Sequence, residues 1–241
     1  MLREGRFVKV PLLVGANTDE GTSFGPKGID NDTAFAKYVS STGPNANETT
    51  ILETLYPDIP SIGIPETLHG RPNSTYGSQY KRSSAFAGDL YIHAPRRAHS
   101  QAWSQQDISS YSFRFNVLVA GLSQYSGSNH FQEFAFVADN TQGLGYGDPN
   151  PAYPNPFAGK PLSYFDLANL MSRMWVSFVH DLNPNNHNVP GVPQWPIYDT
   201  TNGYAREYVF DANVTSYVEI DNYRAEAIQY MIDESAALFD R

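Results

Sequence analysis

Two β-type runs, Phe7 to Gly15 and Ser110 to Val117, are rich in β-branched and aromatic residues, and about 100 residues of mainly helical pattern separate them. A connection of that length and kind returns the chain to a parallel neighbouring strand and lays helices over the sheet. The first run ends at Gly15 and gives way to the small, polar loop 16–22. The second alternates Tyr111, Phe113 and Phe115 with Ser112 and Arg114. Two or three strands cannot bury both faces of such a sheet, so further strands have to come from elsewhere.

The rest of the pattern is consistent with that frame. Short helices are predicted over 33–38 and 49–56, the second stopped by Pro57. Residues 57–77 hold many Pro and Gly and read as irregular, whereas 78 to about 106 read as helix, broken near Pro95. Residues 118–162 are loop-like, with a Gly/Pro/Asn-rich stretch from Gly143 to Pro161. A helix is predicted over 163–179, where Tyr164, Leu167, Ala168, Met171, Trp175 and Phe178 form a stripe at helical spacing. A second amphipathic helix is predicted over 222–239, carrying Ala225, Ile228, Ile232 and Leu238.

Composition removes several function classes. Lys plus Arg is 16 and Asp plus Glu is 25, a formal net charge of −9, which is the wrong sign for a nucleic-acid partner. The 41% hydrophobic and 14% aromatic content argues against disorder. No apolar run approaches the roughly 18 residues of a membrane-spanning helix. The chain has no cysteine, which excludes disulfides, thiolate metal sites and a cysteine nucleophile within it. Residues 1–6 lead straight into the first β-type run with no signal-peptide pattern, so the domain is expected to begin inside its own sheet.

Chemistry-bearing residues cluster in two places. Asp19-Glu20-Gly21 follows the first strand, at the carboxyl end where α/β enzymes place reactive groups. Taken alone, such an acid pair is more commonly a solvated loop. His130, in Gly127-Ser128-Asn129-His130, lies in a loop after the next strand, with Glu133 three residues on. Taken alone, such a histidine is more commonly structural.

Together with Trp175-Val176-Ser177-Phe178, Asn183-Pro184-Asn185 and Trp195-Pro196-Ile197-Tyr198, in this order, these segments resemble the type B carboxylesterase and lipase family, the cholinesterase-like α/β-hydrolases. The resemblance implies an α/β fold: the C-terminal portion of an α/β-hydrolase, a partial mixed or parallel sheet with covering helices, forming one partial domain over 1–241. It implies Glu20 as triad acid and His130 as general base, with Glu133 structural. Departures are Phe131 where the family often has Gly after the histidine, and His180-Asp181-Leu182 where Gly-Asp is usual before Pro-Asn.

The family's triad order is serine, acid, histidine. No serine precedes Glu20. Gly21-Thr22-Ser23-Phe24-Gly25 fits the nucleophile pattern literally but follows the acid, and a chance match is expected. The reading is therefore of a carboxylic ester hydrolase working through an acyl-serine, present here as a C-terminal part with acid and base but no nucleophile. The alternatives are a non-catalytic binding or adhesion module on the same fold, or an inactive truncated product. The expected partners are a small-molecule or lipid ester and the missing N-terminal part.

No cofactor and no metal are expected. Asp181 opens a stretch like a calcium loop, but Asn186 and Val192 stand where Gly and Glu are needed, and His93 and His99 lack a zinc-binding spacing. Four N-x-[ST] sequons, at Asn31, Asn47, Asn73 and Asn213, point to a secreted glycoprotein parent.

Overall fold

The computed structural model describes residues 2–147, 154–201, 203 and 205–239; residues 148–153 of the stretch from Gly143 to Pro161 lie outside the described residues. Four strands are present among the described residues: β1 Leu12–Asn17, β2 Ser110–Phe115, β3 Arg206–Phe210 and β4 Tyr217–Ile220. The helices are α1 Gly21–Phe24, α2 Asp32–Ser41, α3 Ala46–Leu55, α4 Tyr80–Gly88, α5 Ala94–Ser104, α6 Phe134–Val137, α7 Leu162–Asp181, α8 Ala225–Asp233 and α9 Ser235–Phe239. The chain divides into two compact units.

One unit comprises residues 1–17, 99–123 and 131–221 and holds the sheet, in the order β1-β2-β3-β4. β1, β2 and β3 run parallel and β4 returns antiparallel to β3. The architecture is thus α/β, with a mixed sheet. β1 begins at Leu12 rather than Phe7 and runs on to Asn17. Pro11, which has no N–H to give a ladder, stands at its entry. Upstream, Phe7 stacks on Trp103 with centroids 4.0 Å apart, and Trp103 Nε1 donates to the Val10 carbonyl at 2.7 Å.

β2 is buried along its whole length. Tyr111, Phe113 and Phe115 join Tyr208 and Phe210 of β3 and Tyr164, Leu167, Met171 and Met174 of α7 in one core. Trp195 fills its centre, with its ring 5.3 Å from Phe210 and 6.0 Å from Phe113. Burying side chains of this size contributes about 1.5–3 kcal/mol each. The Asn185 amide holds the Trp195 backbone from both sides: Trp195 N–H donates to Asn185 Oδ1 at 2.7 Å, and Asn185 Nδ2 donates to the Trp195 carbonyl at 3.0 Å. The Pro-Asn and Trp-Pro motifs are thus two halves of one clasp. On β3 and β4, Glu207 and Glu219 face each other across the ladder, and Arg114 Nε lies 2.7 Å from Glu219 and 3.9 Å from Glu207.

The other unit comprises residues 18–98, 124–130 and 222–241. α2 is capped by Asn31, whose side chain accepts from Ala34 N–H, and α3 opens with a reciprocal capping box between Asn45 and Glu48. Phe35, Leu52, Tyr56, Ile64, Phe86, Ile228 and Met231 make its core. The break expected near Pro95 takes the form of a π-type turn, Asp89–His93, that carries α4 into α5. Pro95 has no N–H for the α-helical ladder, and Ala94 N–H instead reaches back to the Asp89 carbonyl.

Asp89, fully buried, receives both Nε (2.6 Å) and an Nη (2.7 Å) of Arg224 and the hydroxyl of Tyr56 (2.8 Å). Arg224 itself is left-handed (φ 44°) at the start of α8. The helix predicted over 222–239 is divided into α8 and α9 at Glu234. No described helix is long and apolar enough to cross a membrane.

Candidate active site

β1 ends at Asn17, and the chain continues through Thr18 and Asp19 to Glu20, which directly precedes the single turn of α1. What fixes this turn is a close approach of glycines. A Cβ on Gly21 would lie 1.7 Å from the Ser84 carbonyl oxygen and 2.5 Å from Gly88 N, so α1 rests directly on the backbone of α4. Glu20 is 4% exposed.

Residues 124–130 carry His130. Its Nδ1 lies 2.7 Å from Glu20 Oε2, across 110 positions of sequence. A carboxylate can only accept, so the neutral imidazole carries its proton on Nδ1 and its lone pair on Nε2. The His130 side chain is 46% exposed, whereas that of Glu20 is 5% exposed. The carboxylate is therefore shielded and the imidazole is presented. Phe24 meets the imidazole edge-on, with centroids 4.9 Å apart, and also contacts Tyr91 at 5.7 Å. Burial pushes the Tyr80 phenol up to about 12, so at neutral pH it is a hydroxyl donor, bonded to the Tyr125 carbonyl at 3.0 Å.

Glu133 accepts from Asn17 Nδ2 at 2.7 Å and precedes α6. Ser23 lies inside α1, its N–H donating to the Glu20 carbonyl at 3.1 Å, and it has no positive φ. A nucleophile elbow requires a strained turn directly between strand and helix, which this position is not.

Both departures from the family pattern fall on left-handed backbone. Phe131 has φ 71° and Leu182, closing α7, has φ 57°. Glycine adopts such angles freely, whereas bulky residues hold them at a cost of about 1–3 kcal/mol. Among the described residues, no group of three or more His, Asp or Glu gathers in a way that could hold a metal ion.

Sequence reasoning missed the residues that hold the histidine loop, principally Asp19 and Thr22. Their partners are backbone groups of the loop, which no periodicity or motif spacing signals.

Comparison with known proteins agrees with the fold. The chain is 27% identical to Secreted lipase 4 of Gibberella zeae over 236 residues, covering 97% of this chain and 38% of that protein. It is 26% identical to Lipase 2 of Geotrichum candidum, covering 95% of this chain and 35% of that protein. The chain thus spans little more than a third of the length of these relatives. The crystal structure of Aspergillus niger EstA superposes with a TM-score of 0.74 at 17% identity, over 98% of this chain and 42% of EstA. The model of the carboxylesterase family matches residues 1–230, and the chain belongs to that family.

Proposed function

We propose that this chain supplies the acid and the base of a serine-dependent carboxylic ester hydrolase. The observation that carries the reading is the 2.7 Å contact between His130 Nδ1 and Glu20 Oε2, with the carboxylate buried and the ring presented. Nε2 would take the proton of a serine hydroxyl as its oxygen attacks the ester carbonyl. It would then pass that proton to the departing alcohol, leaving an acyl-serine that water hydrolyses by the same relay. Glu20 holds the tautomer and stabilises the imidazolium. The serine belongs to residues outside these 241, consistent with the family's chain order and with the share of the relatives that the chain covers. Phe24, edge-on to the imidazole and 38% exposed, and Tyr91, which packs on Phe24 and is 39% exposed, suit an ester with apolar acyl or alkyl groups, and the names of the lipase relatives point the same way.

Release of p-nitrophenol from a short-chain ester tests this. In a longer protein that contains the chain and a serine elbow, Glu20→Gln and His130→Gln should each lower turnover by roughly 10³–10⁴. Full activity in both variants would refute the assignment. The 241-residue chain alone should show no turnover above buffer. Turnover that vanishes in Ser23→Ala would move the nucleophile into this chain.

The four sequon asparagines, Asn31, Asn47, Asn73 and Asn213, are all exposed. Together with relatives named as secreted lipases, they favour a secreted glycoprotein. Peptide masses of material from a eukaryotic secretory host would show glycan at these sites, and unmodified peptides throughout would count against secretion.

A further inference from the structure

We propose that Asp19 is a positioning residue: it holds the backbone of the loop that carries His130, so that the imidazole meets Glu20 in the Nδ1–H tautomer. This rests on the reading of Glu20 and His130 as acid and base and deepens it.

Asp19 is 1% exposed. Its Oδ2 accepts from Ser128 N–H at 2.8 Å and its Oδ1 from Glu66 N–H at 3.1 Å, while its own N–H donates to the Ser128 carbonyl at 2.9 Å. A buried carboxylate bonded to backbone N–H groups makes strong, charge-assisted contacts. One residue therefore grips both polar groups of Ser128, two positions before His130. Glu20, the next residue along, grips the ring. Successive side chains of a single dipeptide thus fix the backbone and the imidazole of the same loop.

The grip is extended along the loop. Thr22 Oγ1 is 2.9 Å from the Asp19 carbonyl and 2.7 Å from the Ser126 carbonyl. Tyr80 and Thr67 hydroxyls donate to the Tyr125 and Gln124 carbonyls at 3.0 and 2.7 Å. Between these anchors stands Gly127 at φ +60°, where a Cβ would lie 2.1 Å from Asp19 Oδ2 and 2.8 Å from Pro65 Cβ. The loop approaches the carboxylate as closely as it does because position 127 has no side chain.

The alternative is that Asp19 only stabilises the fold, and the two roles give different readouts. In the 241-residue chain, two-bond ¹H–¹⁵N correlations of the imidazole report the His130 tautomer directly. The parent should be mainly Nδ1–H, and Glu20→Gln identifies the signal by altering it. Asp19→Asn, near-isosteric, turns one acceptor into a donor facing a backbone N–H. It should move the Nδ1–H form from major to minor while far-UV circular dichroism stays unchanged. Thr22→Val, which leaves every charge in place, should lower the Nδ1–H fraction by a smaller amount, and it decides the matter where Asp19→Asn does not fold. A folded Asp19→Asn with the parent's tautomer ratio overturns the proposal, as does a parent chain that is mainly Nε2–H. The readout needs no turnover. A null result in the ester assay alongside a tautomer shift would therefore retire the enzyme reading and leave the positioning role standing.

Discussion

Gly21→Ala is a one-methyl change whose effect follows from the geometry of α1 on α4. The added Cβ would lie 1.7 Å from Ser84 O, 2.5 Å from Gly88 N and 2.8 Å from Ser84 C, where ordinary contact begins near 3.4 Å. All three are backbone atoms of a helix whose nine residues are buried, so no flexible side chain can yield. Relief requires α1 to withdraw by something on the order of 1.5 Å. Overpacking of this kind costs about 1–3 kcal/mol, and a backbone obstacle places this site toward the upper end. For a chain of this length that is a fall in melting temperature of roughly 5–10 °C.

The withdrawal also carries Glu20, the residue before Gly21, away from His130 by enough to break a 2.7 Å bond. Circular dichroism melts of Gly21→Ala beside the exposed-site control Ser23→Ala measure the first effect, and imidazole tautomer measurements measure the second. A Gly21→Ala chain that melts within a degree or two of the parent and keeps its ring–carboxylate bond would refute the close-packing argument.

Burial, with a smaller contribution from Arg173, lowers the pKa of His187 below the ordinary 6.5, and its Nδ1 accepts from Val189 N–H at 3.0 Å, which requires that nitrogen unprotonated. The unfolded chain then binds the proton first, so the stabilisation is complete above about pH 6.5 and declines as pH falls from there through the folded-state value. Melting temperatures followed from pH 7.5 to 5 should fall more steeply for the parent than for His187→Asn, and identical slopes would exclude the contribution. Asn185→Ala strips both partners from the backbone of Trp195, which is 1% exposed. Leaving those buried groups unpaired should cost about 2–4 kcal/mol, seen as a lower urea midpoint by tryptophan fluorescence; an unchanged midpoint would show that the clasp is replaceable.

The parts of the fold written in local pattern are legible in the sequence. α7 follows from its aromatic stripe, β2 from its alternation, and the break after α4 from Pro95. β3 and β4 were not readable. They are five and four residues long, and Glu207 and Glu219 interrupt their apolar character. Arg114 from a neighbouring strand stands beside Glu207 and helps to make its burial in a strand acceptable, a fact of tertiary structure. Phe7, Val8 and Val10 look like strand residues and suggest an earlier start for β1, yet Val8 and Val10 are exposed at 73% and 51%.

Glu20 and His130 stood out as residue types in loops that follow strands, and the geometry places them in contact. Asp19 stood in the same motif and attracted no role, because its partners are amide hydrogens that every residue possesses. Chemistry carried by unusual side chains is visible in a sequence, whereas chemistry carried by the main chain appears only once the chain is folded.

The bidentate grip of Asp89 on Arg224 also bears on protease susceptibility. Trypsin needs an arginine side chain extended into its specificity pocket and a stretch of main chain free to follow it. The Arg224 side chain is 15% exposed and its Nε and one Nη are held by the buried Asp89 carboxylate, so scission after this residue has to wait for the second unit to open. Lys27, exposed in a stretch without regular structure and followed by Gly28, is open to cleavage in the folded chain. The order in which these two peptide bonds are cut is therefore a clock for opening of the C-terminal helices, readable from a digestion time course without any label or substrate.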